Sequence, residues 1–399
     1  MSDKGLIVKI CGTAWYNESR DKRELSVYRE LGYDVCVIAK GNNDDRGRED
    51  CVDGYKVYRF TTKPFGEKCP HFINKIVSVF AWAKYVRKLN PIIISGHDLL
   101  PGLLISWLST FGMKRKPKLI YDAHEFELGR NGVRRNKMTL IMIAWLEKFL
   151  MNKCVFSIMV NDSIADEVQR IYKLKERPLV IRSVPNYWNI DPDVCKEKRK
   201  ELLSMFKHGG GGKYISYLIM YHGAVIRNRG IEIAIHSIAN VKNAGLIILG
   251  NGDKEYIDTL KSIVDQKSLS DRVLFHSAVS IEELWKYAGS ADISVAPIEV
   301  VTKNQLFSLP NKFFESIQAM TPVITSDVPE MKKIITEYKI GRTFVSGDCR
   351  SLGEQIRNTL EDPATMMEYK KNISRAKKDL CWEREKKVLI DAMRKYIER

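Results

Sequence analysis

A chain of 399 residues, 44% of them hydrophobic, holds enough apolar material for two cored domains at the usual ~150 residues each. Its formal charge of +16 and pI near 9.3 favour an anionic partner: a phosphorylated ligand, nucleic acid or a membrane surface. Eight scattered cysteines (11, 36, 51, 69, 154, 195, 349 and 381) include no Cys-x-x-Cys pair, which argues against a zinc site or a disulfide framework and fits reduced thiols.

No run reaches ~18 consecutive apolar residues, so no membrane-spanning helix is predicted. The opening "MSDKGLIVKICG" has too short an apolar run for a leader and reads as a first strand ending at Gly12. A cytoplasmic protein is expected.

Strand-like runs at 6–10, 35–39, 55–60, 92–95, 118–121 and 155–160 are mostly separated by helical patterns at 20–31, 72–89, 99–111, 137–152 and 162–172. That alternation argues for a parallel sheet with helices on both faces. The pattern breaks at Val184-Pro185-Asn186, passes the charged run "CKEKRKELL" and reaches four glycines at 209–212. Such a run fits no element interior. Residues 190–213 are therefore read as a linker between a domain at 1–190 and a second at 214–379. The series restarts with strands at 217–222, 245–249, 273–276, 293–296, 322–325 and 342–345. Helices fall at 229–241, 254–267, 281–288, 311–320 and 329–338. In the charged tail, Val388, Leu389, Ala392, Met393 and Ile397 keep near-helical spacing, so this last helix should pack on another element.

Open α/β sheets bind ligands beyond the carboxyl ends of their strands, so candidates are sought there. In "YHGAVIRNRGIEIAI" a strand turns at Gly223 and enters a helix near Arg229, where a guanidinium can fork onto a diphosphate. A solvated surface arginine is the plainer alternative. "LIILGNGDKEYI" puts Gly250 and Gly252 at a strand end but lacks the third glycine of a dinucleotide fingerprint. A simple strand-to-helix turn also explains them.

"LPNKFFES" opens a helix with Pro310, Asn311 and Lys312, and Glu315 follows one turn on. A lysine in a first turn opposes the helix dipole, a conflict that a bound phosphate relieves. The plainer alternative has Pro310 shaping the loop and Glu315 completing a capping box with Asn311. "LIYDAHEFE" places His124 just past a strand, with no second histidine at metal-ligand spacing, so no metal site is expected. His97 and Asp98 sit at a neighbouring strand end. The stretches "FINKIVSVFAWAKYVRKL" and "VRRNKMTLIMIAWLEKFLMNK" mix basic and apolar residues. They fit either core-packing helices or a face for anionic lipid.

Taken together, these stretches resemble the retaining GT-B glycosyltransferases of family 4, in the subgroup carrying an SLPNK-x-FE block. The likeness spans nearly the whole chain. "YHGAVIRNRG" is similar to the family's Gly-x5-Lys-Gly stretch, with Arg229 at the usual lysine. "LPNKFFESIQAMTPVITSD" is similar to its E-x7-E…G-PVI block, and "YDAHEFE" to the stretch with its active-site histidine. The resemblance implies two Rossmann-like doubly wound parallel-sheet α/β domains facing across a cleft, with a C-terminal helix (380–399) crossing back to the first domain.

It further implies a nucleotide-sugar donor, UDP-linked by expectation, held by the second domain, and a glycan or lipid-linked acceptor held by the first. Neither a cofactor nor a metal is implied. Arg229 and Lys312 would neutralise the diphosphate, with the Asn311 and Lys312 N–H groups beside them. Glu315 would bind the ribose, and His124 would approach the sugar or acceptor. Gly12 would admit the diphosphate, and Gly223, Gly250, Gly252 and Pro310 would shape the donor pocket.

Two positions depart from the family. A basic residue is replaced by Ala224, and the first acid of E-x7-E by Phe307. Glu299 is the candidate substitute acid. The departures keep open a degenerate nucleotide-sugar-binding protein, and a sugar-nucleotide epimerase on the same architecture is a second rival. Nucleic acid is not expected as a partner, because the basic residues are dispersed and no recognition motif accompanies them.

Overall fold

The computed structural model describes residues 4–16, 18–130, 135–206 and 215–398, so the glycine run at 209–212 lies outside the described residues. The chain divides into two compact units, Met1–Arg182 with Glu385–Arg399, and Ser183–Arg384.

The first unit contains β1 (Leu6–Ile10), α1 (Ser19–Glu30), β2 (Asp34–Lys40), β3 (Arg46–Val52), β4 (Tyr55–Phe60), α2 (His71–Leu89), β5 (Ile93–His97), α3 (Leu104–Ser109), β6 (Lys118–Asp122), α4 (Lys137–Met151), β7 (Phe156–Met159), α5 (Asp162–Tyr172) and β8 (Leu179–Val180). Its sheet runs β3-β4-β2-β1-β5-β6-β7-β8. Every pairing is parallel except β3 with β4. Successive strand residues point to opposite faces. On one face Val8, Ile10, Cys36, Ile38 and Ile94 pack under Trp82, Ala83 and Val86 of α2 and Ile105 of α3. The alternation sends Lys9 to the other face.

The second unit contains α6 (Pro192–Met205), β9 (Tyr217–His222), α7 (Ile231–Ile238), β10 (Ala244–Leu249), α8 (Lys254–Gln266), β11 (Val273–His276), α9 (Ile281–Ser290), β12 (Ile293–Ala296), α10 (Lys303–Leu306), α11 (Asn311–Gln318), β13 (Val323–Ser326), α12 (Pro329–Tyr338), β14 (Gly341–Phe344), α13 (Cys349–Leu360) and α14 (Pro363–Asp379). Its sheet is wholly parallel, in the order β11-β10-β9-β12-β13-β14. Counted within the unit this is 3-2-1-4-5-6, the doubly wound order. Its two faces hold separate cores. Ile219, Tyr221, Leu246 and Ile248 meet α7, α8 and α13, whereas Leu218, Met220, Ile247 and Leu249 meet α6 and α9.

Three sequence expectations need correction. Residues 190–213 are not simply a linker, because α6 begins at Pro192 and buries Leu202 against Leu284 and Tyr287 of α9. The charged exposed face of α6 disguises that contact. The unit boundaries accordingly fall after Arg182 and Arg384 rather than at 190 and 379. The helix expected over 99–111 is interrupted, since Leu100 is extended (φ −125°, ψ 127°) and α3 begins only at Leu104.

The last helix, α15 (Trp382–Tyr396), passes from the second unit into the first. There Glu385 pairs with Arg182 at 2.6 Å, Leu389 and Met393 are buried, and Lys118 Nζ donates to the carbonyls of Tyr396 and Ile397. Among the described residues no helix is long and apolar enough to cross a membrane.

Candidate functional site

In each sheet the strand order reverses at one place, and the loops beyond the carboxyl ends diverge there to leave a crevice. In the second unit that place lies between β9 and β12. The loop after β9 carries Gly223 to Gly230, and the chain after β12 leads through α10 to α11.

Lys312, in the first turn of α11, is buried, and its Nζ lies 3.5 Å from the centroid of the Tyr221 ring. Burial, then the charge of Arg229, pushes its pKa well below the ordinary value, while Glu315 works the other way. Among the described residues no carboxylate forms an ion pair with it. Gly223 (φ 118°) lies directly beside it, and a Cβ there would come 3.3 Å from Lys312 Cε. Arg229 is half-buried between Asn228 (φ 63°) and Gly230 (φ 68°). A Cβ at Gly230 would fall 1.5 Å from the Pro297 carbonyl oxygen, so only glycine fits this turn.

Glu315 does not form a capping box. Helix α11 has Pro310 at its N-cap and no side-chain cap, so the N–H groups of Asn311 and Lys312 are left for another acceptor. Glu315 instead lies 3.1 Å from Nε2 of His222, a buried histidine at the end of β9. The other ring nitrogen, Nδ1, is buried without a hydrogen-bond partner.

Gly250 and Gly252 serve the corner from behind. A Cβ at either would fall 1.9 Å from Gly223 O or 1.8 Å from Val225 O, so the two loops lie in backbone contact. Val225 N donates to Asn251 O at 2.9 Å. Glu299 has a raised pKa, from burial and then from Glu232, and accepts the Gly230 N–H. Phe307 caps the carboxyl end of α10, whose amino end carries a Thr302–Gln305 capping box.

In the first unit the order reverses between β1 and β5. Gly12 follows β1, and a Cβ there would meet Pro101 Cδ at 2.6 Å. Below it lies a buried charge cluster. Lys9 Nζ reaches Asp122 at 2.6 Å, Glu24 at 2.9 Å and Asp21 at 3.3 Å. Arg20 adds contacts of 3.0 Å to Asp122 and 3.2 Å to Glu24. Burial disfavours the Lys9 charge, but Asp122, Asp21 and Glu24 more than offset it and raise its pKa. Asp122 is held low against its own burial by Lys9 and Arg20.

His124 Nε2 sits 3.0 Å from Asp122 and 3.6 Å from Asp21. Its ring stacks on His97 with centroids 3.7 Å apart. His97 Nδ1 is 3.0 Å from Asp21. Burial lowers the His97 pKa, but Asp21 raises it further, to about 9, so His97 is an imidazolium at neutral pH. The donor atoms of Cys11, Asp21 and His97, and of Asp21, Asp122 and His124, lie close enough to ligate a cation. Lys9 and Arg20 already neutralise those carboxylates.

Gly223, Arg229, Pro310, Asn311, Lys312 and Glu315 thus share one corner, with Gly250 and Gly252 behind it. Gly12 and His124 belong to the other unit. Sequence reasoning missed His222, although it sits in the quoted "YHG". It also missed Lys9, whose position inside the apolar run "LIVKI" was the available signal.

Two doubly wound α/β units, with a C-terminal helix that returns to the first, define a GT-B architecture. Residues 25–186 match the model of Glycosyltransferase Family 4, and residues 213–379 match that of Glycosyl transferases group 1. The chain thus has a GT-B fold, and two stretches of it match these two glycosyltransferase models in that order.

Sucrose-phosphate synthase from Thermosynechococcus elongatus superposes with a TM-score of 0.75 at 18% identity, over 98% of each chain. Anabaena Alr3699/HepE in complex with UDP-glucose superposes with a TM-score of 0.74 at 12% identity, over 98% of this chain and all of that one (100%). Mannosylglucosylglycerate synthase from Petrotoga mobilis is 23% identical over 251 residues. That match spans about half of either protein, 55% of this chain and 54% of the relative.

Proposed function

We propose that the protein is a retaining, metal-independent glycosyltransferase that takes a sugar from a UDP-linked donor and passes it to a glycan or lipid-linked acceptor in cell-surface polysaccharide or glycoconjugate synthesis. The observation that carries this reading is the corner at α11. There a buried ammonium without a carboxylate partner, a half-buried guanidinium and an uncapped helix start converge. Each favours an anion, and together they suit a diphosphate. Lys312, Arg229 and the first-turn N–H groups would stabilise the charge that develops on the leaving diphosphate. Glu315, oriented by His222, would accept from the ribose hydroxyls. The HepE complex with UDP-glucose shares the fold and supports a UDP-linked donor.

The first unit would hold the acceptor, with His124 near the reacting sugar and its ring fixed by Asp122 and His97. A cytoplasmic protein working at the inner membrane face agrees with two helices of this unit. Helix α2 exposes Phe72, Ile76 and Phe80, and α4 exposes Met138, Ile141, Met142 and Trp145. Helix α2 contains no acid, and the single acid of α4, Glu147, is buried between Tyr121 and Tyr172. An apolar face with only basic charge around it suits anionic lipid.

The test is incubation with labelled UDP-sugars and a panel of lipid-linked and free glycan acceptors, with the product linkage read by NMR. The reading requires transfer with the donor's anomeric configuration kept, in the presence of a chelator. Conversion of the donor without acceptor would instead indicate an epimerase. Binding without any turnover would indicate a degenerate binder.

A further inference from the structure

The second unit has another cavity, at the opposite end of its sheet, where the strands begin. It lies beside the residues that precede β12 and β13 and beneath the start of α6. Its volume is about 560 Å³, within the range of small-molecule sites. Tyr187, Trp188, Cys195, Arg199, Asp292 and Lys377 are among the side chains that line it.

Lys377 is the residue that asks for a ligand. It is 4% exposed, yet its ammonium has no carboxylate partner among the described residues. It faces the ring of Tyr187, with Nζ 4.7 Å from the centroid, and interacts with the Cys195 thiol. Burial lowers its pKa to about 8, which still leaves it mostly charged at neutral pH. Nearby groups are already satisfied. Asp292 is paired with Arg199 at 2.8 Å, and Arg199 also donates to the carbonyls of Ser290 and Ser216. Thr321 donates to the Ala288 carbonyl. The helix ends on the cavity floor therefore leave the Lys377 charge unanswered.

The walls are fixed in advance. Gln318 accepts from Trp188 N and donates to the carbonyls of Lys377 and Leu380, and Glu383 accepts from Tyr187 N. One side chain thus ties the aromatic wall to the cationic one. Lys370 adds positive charge at the mouth, where Lys196 is paired with Asp193 at 2.9 Å.

We infer that this cavity is a second ligand site, which takes a small oxyanion carried on a planar body. The oxyanion would pair with Lys377, and the planar part would lie along Tyr187 and Trp188. None of the residues assigned to the donor corner lines the cavity. The site therefore stands or falls independently of the glycosyltransferase reading.

The test is calorimetric titration of the full chain with phenyl phosphate, benzoate and phenol. Phenyl phosphate, benzoate or both should bind, and the difference between them identifies the head group; phenol should not bind. Lys377→Met should weaken the binding by about tenfold or more, the scale of a lost charged hydrogen bond. Lys312→Met should leave it unchanged. Unaltered binding in Lys377→Met, equal binding of phenol, or no binding by the wild type would overturn the inference. Should Lys377→Met fail to fold, NMR of the wild type with ¹³C-dimethylated lysines replaces it. A ligand-induced shift of the Lys377 signal supports the site, and an unmoved signal refutes it.

Discussion

The two switch points are built from similar residue types and use them in opposite ways. In the first unit the cations Lys9, Arg20 and His97 lie among the carboxylates Asp21, Glu24 and Asp122, all of them buried. The charges answer one another. In the second unit Lys312 and Arg229 are left together, and the nearest acid, Glu315, is engaged with His222. The first arrangement fixes side chains in place without a ligand. The second spends stability to keep positive charge ready for an anion. A buried pair is costly to break, and a buried single charge is costly to keep.

Breaking each site should therefore give different phenotypes. The largest expected effect is on turnover. Lys312→Met should lower kcat/KM for sugar transfer by ~10²–10³-fold, the scale of losing one donor to a developing negative charge. Its stability in urea should match or exceed that of the wild type, because an unpaired buried ammonium is gone. In the first unit, Asp122→Ala removes the one carboxylate that touches Lys9, Arg20 and His124 together and leaves the buried cluster with an excess of positive charge. It should cost ~3–5 kcal/mol in denaturant unfolding. If Lys312→Met proved the more destabilising of the two, the contrast would fail.

A smaller effect is expected at His222. His222→Phe removes the partner that orients Glu315 and should weaken UDP binding by about tenfold, with little change for inorganic pyrophosphate, which has no ribose. Equal losses for both ligands would place Glu315 on the phosphates instead.

The smallest and most discriminating effects are in pH dependence, and they have opposite signs. The His97 pKa is raised in the fold to about 9, above its ordinary value. Its stabilisation is fully present below the unfolded pKa of about 6.5 and is lost as pH rises through the folded value. Lys312 has a folded pKa below its ordinary value. The unfolded chain then holds the extra proton, so this residue's contribution to stability increases with pH through the alkaline range. Urea midpoints between neutral pH and pH about 10, compared among wild type, His97→Gln and Lys312→Met, separate the two terms. His97→Gln should flatten the alkaline fall, and Lys312→Met should steepen it.

Much of this was legible in the sequence, for identifiable reasons. The strands at Leu6–Ile10, Tyr217–His222 and Ile293–Ala296 are mostly apolar and buried at all but one position at most, and Tyr55–Phe60 exposes only Lys56, so their patterns stand out. Strand β3, "RGREDCV", escaped notice because it is an antiparallel edge strand with mostly polar side chains. Helix α6 escaped because its charged face dominates its composition and the buried side rests on few residues, such as Cys195 and Leu202. The Lys312–Glu315 corner was readable because one contiguous block, "LPNKFFE", holds it. The Lys9 cluster was not, because Asp21 and Asp122 lie far apart in the chain and meet Lys9 only in the folded sheet. His222 was passed over for the same reason, since its partner Glu315 follows 93 residues later.

The central claim is that the open charges of the second unit form a diphosphate site. Calorimetric titration of UDP into the wild type and Lys312→Met tests it most directly. UDP should bind saturably to the wild type and about tenfold or more weakly to the variant, with the variant's melting temperature undiminished. Equal UDP affinity in both proteins would contradict it.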